Sequence, residues 1–169
     1  MVYLPAEENW WGPAGATGPC GPDTEIYYWI GEGEPPKVFD FAKDEDNWLE
    51  IWNNVFMAYY KDEAGVYQEL EQKNVDTGMG FERLSLVMQS ISGELQKPIR
   101  SASIYDTDIF RGILDALAPN FVSPYPGRSK MDNEFTDLDR RIAVSYRIIA
   151  DHLRTSVMLV SEGLTPSNE

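Results

Sequence analysis

The sequence contains one cysteine, one histidine and no long apolar run, and each of these shortages excludes a class of protein. The single Cys20 rules out an internal disulfide and a zinc site made of cysteines. No apolar stretch approaches the roughly 20 residues that a membrane span needs, and the first residues lack the pattern of a signal peptide. We therefore expect a cytoplasmic protein with no membrane partner and no metal-binding residues of its own.

Basic residues are also scarce. Fourteen lysines and arginines against 28 aspartates and glutamates give a formal net charge of −14. A charge of this sign repels polyanions, so the composition alone argues against a free-standing nucleic-acid binder. By contrast, 43% of the 169 residues are hydrophobic and 12% are aromatic, which is enough for the core of one ordinary domain or of one and a half small ones.

The first half of the chain is predicted to form mainly β-structure. Residues 7–24 are crowded with glycine and proline and predict a loop, whereas residues 25–30 predict a strand. Residues 48–60 have the length of a buried helix, but their aromatic and β-branched content favours a strand. A turn at residues 62–65 and alternation over residues 66–70 support the strand and predict an antiparallel pair.

Helical patterns follow a break at residues 76–80. Residues 81–91 have helical spacing and one apolar face, formed by Leu84, Val87, Met88 and Ile91. Two more helices are predicted over residues 105–117 and 137–161, separated by a proline-rich loop at residues 119–134. Their apolar sides contain Ile109, Ile113, Leu114 and Leu117 in the first helix, and Ile142, Tyr146, Ile149, Leu153 and Val157 in the second.

These elements predict an α+β chain, sheet-rich over residues 1–97 and helical over residues 98–169. Gly163 is expected to end the last helix. His152 lies on that helix and has no second ligand or nucleophile beside it. We therefore expect it to make a contact between helices rather than to take part in catalysis.

The segment Asp76–Gly80 and the following Arg83 form the first candidate site. Glycines at positions 78 and 80 let the backbone approach a ligand closely, and the start of the next helix favours anions. The Arg83 guanidinium suits a phosphate or stacking on a purine, and Asp76 could hold a ligand ammonium. An ordinary strand–helix turn with a solvated ion pair accounts for the same residues, and composition alone leaves both interpretations open.

Two aromatic residues and one asparagine are further candidates. Trp10 and Trp11 precede a rigid loop rich in proline and glycine, and a tryptophan face can form the wall of a small pocket. A core position is the alternative for both, and it is favoured for Trp10. Asn53 is predicted to lie on the opposite side of its strand from Glu50. If buried, Asn53 needs a hydrogen-bond partner, either a ligand or a backbone group.

Seven blocks carry a resemblance to a known family. In chain order they are Asn9-Trp10-Trp11, Thr17–Pro22 with Glu25-Ile26, Glu50–Asn53 with Val55–Met57, Val75–Arg83, Tyr105–Asp108, Ile149–Arg154 and Pro166–Glu169. In this order they resemble the alanine–tRNA ligases, which are class II aminoacyl-tRNA synthetases. The resemblance covers nearly the whole chain apart from residues 31–46 and 120–140, and it is specific because many ordered blocks agree.

The resemblance implies part of the class II antiparallel sheet with its motif 3 helix, followed by the first helices of a tRNA-recognition domain. It implies activation of alanine with ATP and Mg²⁺, then transfer of alanine to its tRNA. The residues matched to these roles are Trp11, Asn53, Asp76 and Gly78 for alanine, Gly80 and Arg83 for ATP, and Asn168 for the G·U pair of alanine tRNA. Within the alanine set, Asp76 is matched to the α-ammonium and Asn53 to the carboxylate.

The chain also departs from the family pattern. Asp23 stands where many members have a second cysteine, and the loop after Trp11 is longer than usual. No match exists to motif 1, nor to motif 2 with its arginine for the ATP α-phosphate. We therefore expect a piece truncated on both sides and inactive alone, which binds the missing remainder or self-associates. The alternatives are a non-catalytic binding module, and a ligase paralogue without a tRNA substrate.

Overall fold

The computed structural model describes residues 1–38, 40–95, 97–128 and 134–167. The chain divides into two compact units, Met1–Leu84 and Ser85–Glu169. The boundary between them falls inside helix α2 (Phe81–Ile91).

The first unit is built on a four-stranded antiparallel sheet. Its strands are β1 (Trp10–Trp11), β2 (Gly18–Trp29), β3 (Trp48–Lys61) and β4 (Tyr67–Met79), and they lie side by side in chain order. A short helix, α1 (Phe41–Asp44), lies between β2 and β3 in the chain. The antiparallel pair predicted from residues 48–60 and 66–70 is therefore confirmed as β3 and β4.

A tight turn over residues 62–66, which begins at Asp62, joins β3 to β4. The Asp62 side-chain Oδ1 accepts hydrogen bonds from the backbone N–H groups of Ala64 and Val66, both at 2.9 Å. Gly65 adopts a φ of +80°, a conformation that disfavours residues with a Cβ. The turn predicted at residues 62–65 is thus specified by an aspartate that caps its own loop and a glycine that closes it.

The prediction of a loop over residues 7–24 is wrong, because β1 and most of β2 lie within it. Glycine and proline indicated a loop, but several of these residues lie within an irregular strand. The register between β2 and β3 shifts between Cys20 and Asp23, where prolines are tolerated. A Cβ on Gly21 would lie 1.9 Å from the carbonyl oxygen of Phe56, so only glycine allows this approach of the two backbones.

The predicted break at residues 76–80 is also wrong in part. Strand β4 continues through Met79, so Asp76 and Gly78 are strand residues and only Gly80 separates the strand from α2. The ladder to β3 holds this segment extended despite its low strand propensity. Strand β4 is exposed along nearly its whole length, and only Leu70 is partly buried.

The second unit is helical. Besides the end of α2, it contains α3 (Asp108–Leu117) and α4 (Asp137–Ser161), as predicted, and Gly163 ends α4 with a φ of +87°. Its hydrophobic core consists of Phe110, Leu114, Tyr125, Phe135, Ala143, Tyr146 and Ala150.

The apolar faces of two helices were predicted only in part: Val87 and Tyr146 are buried as predicted, but other predicted residues are not. In α2 the buried residues are Leu86, Val87 and Gln89, whereas Met88 and Ile91 are exposed. Gln89 is buried because its side chain bonds to the backbone N–H and the carboxylate of Asp108 at the start of α3. A polar group buried for such bonds cannot be recognised from hydrophobic spacing.

In α4 the buried residues are Ala143, Tyr146 and Ala150, and the predicted Ile149, Leu153 and Val157 are exposed. Small alanines bring α4 close to the core, so the larger side chains of the apolar side lie outward. His152 is exposed and its Nδ1 lies 2.8 Å from the carbonyl oxygen of Ile148 in the same helix. The predicted contact of His152 with another helix is therefore wrong.

The N-terminus of α4 is capped by a reciprocal pair of hydrogen bonds. The Thr136 hydroxyl accepts from the Asp139 N–H at 3.2 Å, and the Asp139 carboxylate accepts from the Thr136 N–H at 3.0 Å. We expect Thr136→Ala to lower the free energy of unfolding by about 1 kcal/mol, measured by urea denaturation followed by circular dichroism. Thr165→Ala, an exposed position after the helix, is the control and should change little; equal effects would contradict the capping role.

Candidate functional site

The strand register places several polar residues on one face of the sheet. Glu25 pairs with Asn53, which pairs in turn with Gly78 on β4. Two residues further along β3, Val55 pairs with Asp23 on β2 and with Asp76 on β4. Directly opposed residues of antiparallel strands point to the same side of a sheet, so these six positions share one face. We call this surface the acidic face.

Asn53 lies on the middle strand of the acidic face. Its side-chain nitrogen donates to Asp23 Oδ2 at 3.1 Å and to Glu25 Oε1 at 3.4 Å. The predicted need for a partner is therefore met by two carboxylates of β2 rather than by the backbone. Among the described residues, the buried oxygens Asn53 Oδ1 and Asp23 Oδ1 have no hydrogen-bond donor.

The carboxylates crowd one another on this face. Burial raises the pKa of Glu25, and the charges of Glu50 and Asp23 raise it further, against the opposing effect of a hydrogen bond from the Tyr27 hydroxyl. Burial, the hydrogen bond to Glu25 and the charges of Glu25 and Glu50 raise the pKa of Tyr27. The face therefore favours a ligand that brings positive charge or N–H donors.

Glu50 reaches this face because the strand alternation is interrupted. The register of β2 and β3 shifts between Ile26 and Tyr27, so that Tyr27 pairs with Glu50. Both Glu50 and Asn53 consequently lie near Glu25. Glu25 accepts a hydrogen bond from Asn53, and the charge of Glu50 raises the pKa of Glu25. The prediction that Glu50 and Asn53 lie on opposite sides of β3 assumed regular alternation and is wrong.

Arg83 is connected to the acidic face through Glu50. Its Nη1 lies 3.1 Å from Glu50 Oε2 and donates to the Glu50 backbone carbonyl at 3.3 Å. Among the described residues, these contacts use Nη1 alone, so the other guanidinium nitrogens remain available to a ligand. The Gly80 N–H donates to the Ile51 carbonyl at 3.3 Å, which fixes the start of α2 against β3. The solvated ion pair considered from the sequence is thus present, and it leaves a phosphate-binding role open.

The remaining predicted residues are placed as follows. Asp76 and Gly78 are exposed on the edge strand, and a Cβ at Gly78 would meet nothing within 4 Å. Trp11 pairs with Gly21, two residues before Asp23, and is 38% exposed. Trp10 packs against Tyr59 and Tyr67, with ring centroids 5.5 Å away in each case, but it is only partly buried, so the core position favoured for it is not confirmed. Asn168 lies outside the described residues.

Sequence reasoning missed Asp23 and Glu25 as partners of Asn53, and Tyr27 as the donor to Glu25. The only available signal was their alternation at every second position of β2, which places all three on one side of that strand. Which residue of β3 they would face depends on the register, including its two irregular points. The grouping therefore became visible only in the structure.

The described part of the chain contains no group of three or more histidine, cysteine, aspartate or glutamate side chains that could hold a metal ion. Glu25 and Glu50 nevertheless provide two carboxylates close together. That donor set fits Mg²⁺ bound mainly through nucleotide phosphates, since such ions take only one or two protein carboxylates. Among the helices within the described ranges, none is both long and apolar enough to cross a membrane.

Comparison with known protein families shows which family the chain belongs to. A profile of the family tRNA synthetases class II (A) matches residues 2–169. The chain belongs to this synthetase family. The expected α+β fold is confirmed by that match together with the four-stranded antiparallel sheet and the helices that follow it.

The synthetase chain is also similar to curated alanine--tRNA ligases. That of Treponema denticola is 42% identical over 172 residues, which cover 99% of this chain and 25% of the relative. That of Borrelia hermsii is 40% identical over 170 residues, with the same coverage. That of Thermotoga petrophila is 43% identical over 175 residues, covering 100% of this chain and 18% of the relative. The chain thus spans a quarter or less of the length of these relatives.

Proposed function

We propose that this chain is the part of an alanine–tRNA ligase that binds alanine on the acidic face, binds ATP beside it at Arg83, and leads into the tRNA-binding region. The observation that carries the proposal is the shared face itself. Strand register brings Asn53, Asp76 and Gly78 together, and Glu50 connects Arg83 to the same cluster. The similarity to curated alanine--tRNA ligases over the whole chain supports alanine as the amino acid.

For alanine, we assign Asp76 to the α-ammonium and Gly78 to the space for the small side chain. Asn53 lies beside the substrate, and Trp11, exposed at the end of β1, forms a wall of the site. The open surroundings of Gly78 support its role, because a Cβ there would project into the space above the face. A carboxylate exposed on an edge strand is able to meet an ammonium without displacing a protein partner.

For ATP, we assign Arg83 and the backbone at Gly80. The planar guanidinium keeps donors free beside its contact with Glu50, and these suit a phosphate or an adenine face. Mg²⁺ would supply charge neutralisation between the phosphates, with Glu25 or Glu50 as its protein ligands. The protein itself positions the two substrates and stabilises charge at the reacting phosphate.

For the tRNA, we assign Asn168, whose carboxamide suits the guanine amino group of a G·U pair. Residues 1–97 would then be the end of a catalytic domain and residues 98–169 the beginning of a helical tRNA-recognition domain. We further propose a cytoplasmic location, and association either with the remainder of the synthetase or with a second copy. The net charge of −14 is compatible with tRNA binding if basic segments of the synthetase make the phosphate contacts.

A hybrid enzyme tests the proposed function. The matching segment of the Treponema denticola ligase, 42% identical to this chain, is replaced by residues 1–169. We expect the hybrid to catalyse alanine-dependent exchange of pyrophosphate into ATP, with much lower exchange when glycine or a larger amino acid replaces alanine. The unaltered ligase provides the reference rate.

The isolated 169-residue chain is the matched control. It should give no exchange above background, because it has no match to the motif 2 arginine that neutralises the ATP α-phosphate. A hybrid that folds, as judged by circular dichroism, but shows no alanine-dependent exchange would contradict the proposal. That outcome would favour the non-catalytic binding module instead.

A further inference from the structure

Helix α2, whose residues are all described by the structure, has one buried polar side chain, Gln89. Gln89 is 8% exposed, and its carboxamide makes two hydrogen bonds to Asp108, the first residue of α3. The side-chain oxygen accepts from the Asp108 backbone N–H at 3.1 Å, and the side-chain nitrogen donates to the Asp108 carboxylate. Two directional bonds of opposite sense within one pair of residues fix both the position and the rotation of this end of α2.

The bond to the Asp108 N–H also replaces a missing cap on α3. Among the described residues, the preceding Thr107 makes no side-chain bond to the first turn, because its hydroxyl donates to the Ile104 carbonyl at 2.5 Å. The first N–H groups of a helix have no partner within that helix and need an acceptor from elsewhere. Gln89 supplies this acceptor from α2, so one side chain joins the end of α2 to the start of α3.

Gln89 anchors the last part of α2 in a way that its buried neighbours cannot. Leu86 and Val87 are also buried, but apolar packing is non-directional. The backbone carbonyl of Gln89 in addition accepts from the N–H groups of Glu94 and Leu95, at 3.0 and 3.1 Å. The side chain and the backbone of Gln89 therefore both hold the end of α2 in place.

Arg83 lies six residues before Gln89 on the same helix, about 9 Å along the helix axis. The start of α2 is held by two weaker contacts. The Gly80 N–H donates to the Ile51 carbonyl at the long distance of 3.3 Å, and the ion pair of Arg83 with Glu50 is exposed. The position of the guanidinium thus depends on the firmer anchor at the other end of the helix.

We propose that Gln89 is a positioning residue for ATP, which places the Arg83 guanidinium by locking the end of α2 to Asp108. This inference rests on the proposed function, in which Arg83 binds ATP. Gln89 does not meet ATP itself, because its side chain is buried and bonded to Asp108. The residues assigned to alanine lie on β1, β3 and β4, so their places do not depend on α2. Loss of the lock should therefore weaken ATP binding and leave alanine binding unchanged.

The lock can be broken by one substitution and rebuilt by a second. Gln89→Glu removes the side-chain donor and places a carboxylate against the carboxylate of Asp108. Asp108→Asn, added to it, supplies a donor from the other side. The double variant again has two complementary hydrogen bonds, and its total charge equals that of the unaltered chain.

The test measures the affinity of the hybrid ligase for ATP with Mg²⁺, and separately for alanine, by titration calorimetry. We expect Gln89→Glu to weaken ATP binding about tenfold, because a displaced guanidinium loses a charge-assisted hydrogen bond to phosphate. Alanine affinity should stay the same, and the double variant should recover most of the ATP affinity. Gln72→Glu, the same change at an exposed position of β4, is the control and should bind ATP normally.

A second comparison separates positioning from stability. In an Arg83→Ala background, Gln89→Glu should have no further effect on ATP affinity, because the group that Gln89 positions is gone. A merely structural role would instead lower the fraction of protein that binds, equally for ATP and alanine, and leave both affinities unchanged. If Gln89→Glu does not give a folded circular dichroism spectrum, the comparison of ATP with alanine is made with Gln89→Met, which fills a similar space without hydrogen-bonding amide groups.

The outcomes distinguish this inference from the proposed function. An ATP affinity that Gln89→Glu leaves unchanged, or lowers by the same factor with and without Arg83, overturns the role of Gln89 even if the hybrid catalyses exchange. A hybrid whose ATP affinity depends on Gln89 as expected, but which catalyses no alanine-dependent exchange, supports the inference and contradicts the proposed function. A hybrid that binds no ATP contradicts both.

Discussion

Arg83→Ala should reduce alanine-dependent pyrophosphate exchange by the hybrid ligase about a hundred- to a thousand-fold, the scale typical of losing one charge-stabilising group. The guanidinium is the only positively charged side chain in the segment from Val75 to Arg83, and its contact with Glu50 places it beside the acidic face. Removing it would leave ATP without this donor, so the loss should appear in the rate at saturating alanine and in the KM for ATP.

The effect on folding should be small, which makes the loss of exchange interpretable. The Arg83 and Glu50 side chains are 49% and 35% exposed, and an ion pair with this exposure contributes about 0–1 kcal/mol. Arg83→Lys keeps the charge but not the planar fork and should recover part of the rate. Arg140→Ala removes an exposed arginine elsewhere and should have normal activity. Exchange by Arg83→Ala at the normal rate would exclude the ATP role of Arg83.

Phe110→Ala should lower the free energy of unfolding of the second unit by about 3–5 kcal/mol, the usual cost of removing a buried phenylalanine ring. Phe110 is 0% exposed and lies at the centre of the helical core. Its ring centroid is 4.8 Å from that of Tyr105, and the Arg154 guanidinium lies 5.4 Å from it. The deletion therefore removes packing on several sides at once, and the rigid helices around it cannot collapse to fill the space.

The measurement is urea denaturation followed by the helical signal in far-ultraviolet circular dichroism. This signal is the appropriate probe, because all five tryptophans lie at or before residue 52 and report on the first unit. Leu138→Ala is the control, since Leu138 is 59% exposed on α4 and should change stability by less than about 0.5 kcal/mol. A Phe110→Ala chain as stable as the control would show that the helical core is not the main source of stability in this unit.

The elements that local signals specify could be predicted from the sequence. The limits of α4 were predicted at Asp137 and Ser161, with Gly163 ending the helix, and the structure adds the Thr136–Asp139 capping pair at its start. The hairpin of β3 and β4 was predicted from its turn residues. In contrast, β1 and the start of β2 were missed, because glycine and proline also occur in irregular strands whose form is decided by pairing with β3.

The candidate site could be predicted only in part. Arg83, Asp76 and Asn53 were identified from short motifs and from the family resemblance. The arrangement around Asn53 could not be, since Asp23 and Glu25 are 30 and 28 residues away in the chain and meet it only through strand register. The orientation of the Asn53 carboxamide follows from those neighbours, so it was equally inaccessible from the sequence.

The turn at Asp62 has a consequence for misfolding. It starts the ladder that pairs Asn53 with Gly78 and Val55 with Asp76, even though these pairs lie at the far end of the hairpin. Side chains alternate with a period of two, so a slip of one residue beyond the irregular point at Met57 would turn Asp76 away from the acidic face. A mutation at Asp62 or Gly65 would thus break up the acidic face in a chain whose strands still pair. Such a variant would lose activity because its strands pair in the wrong register, although every residue of the site is still present.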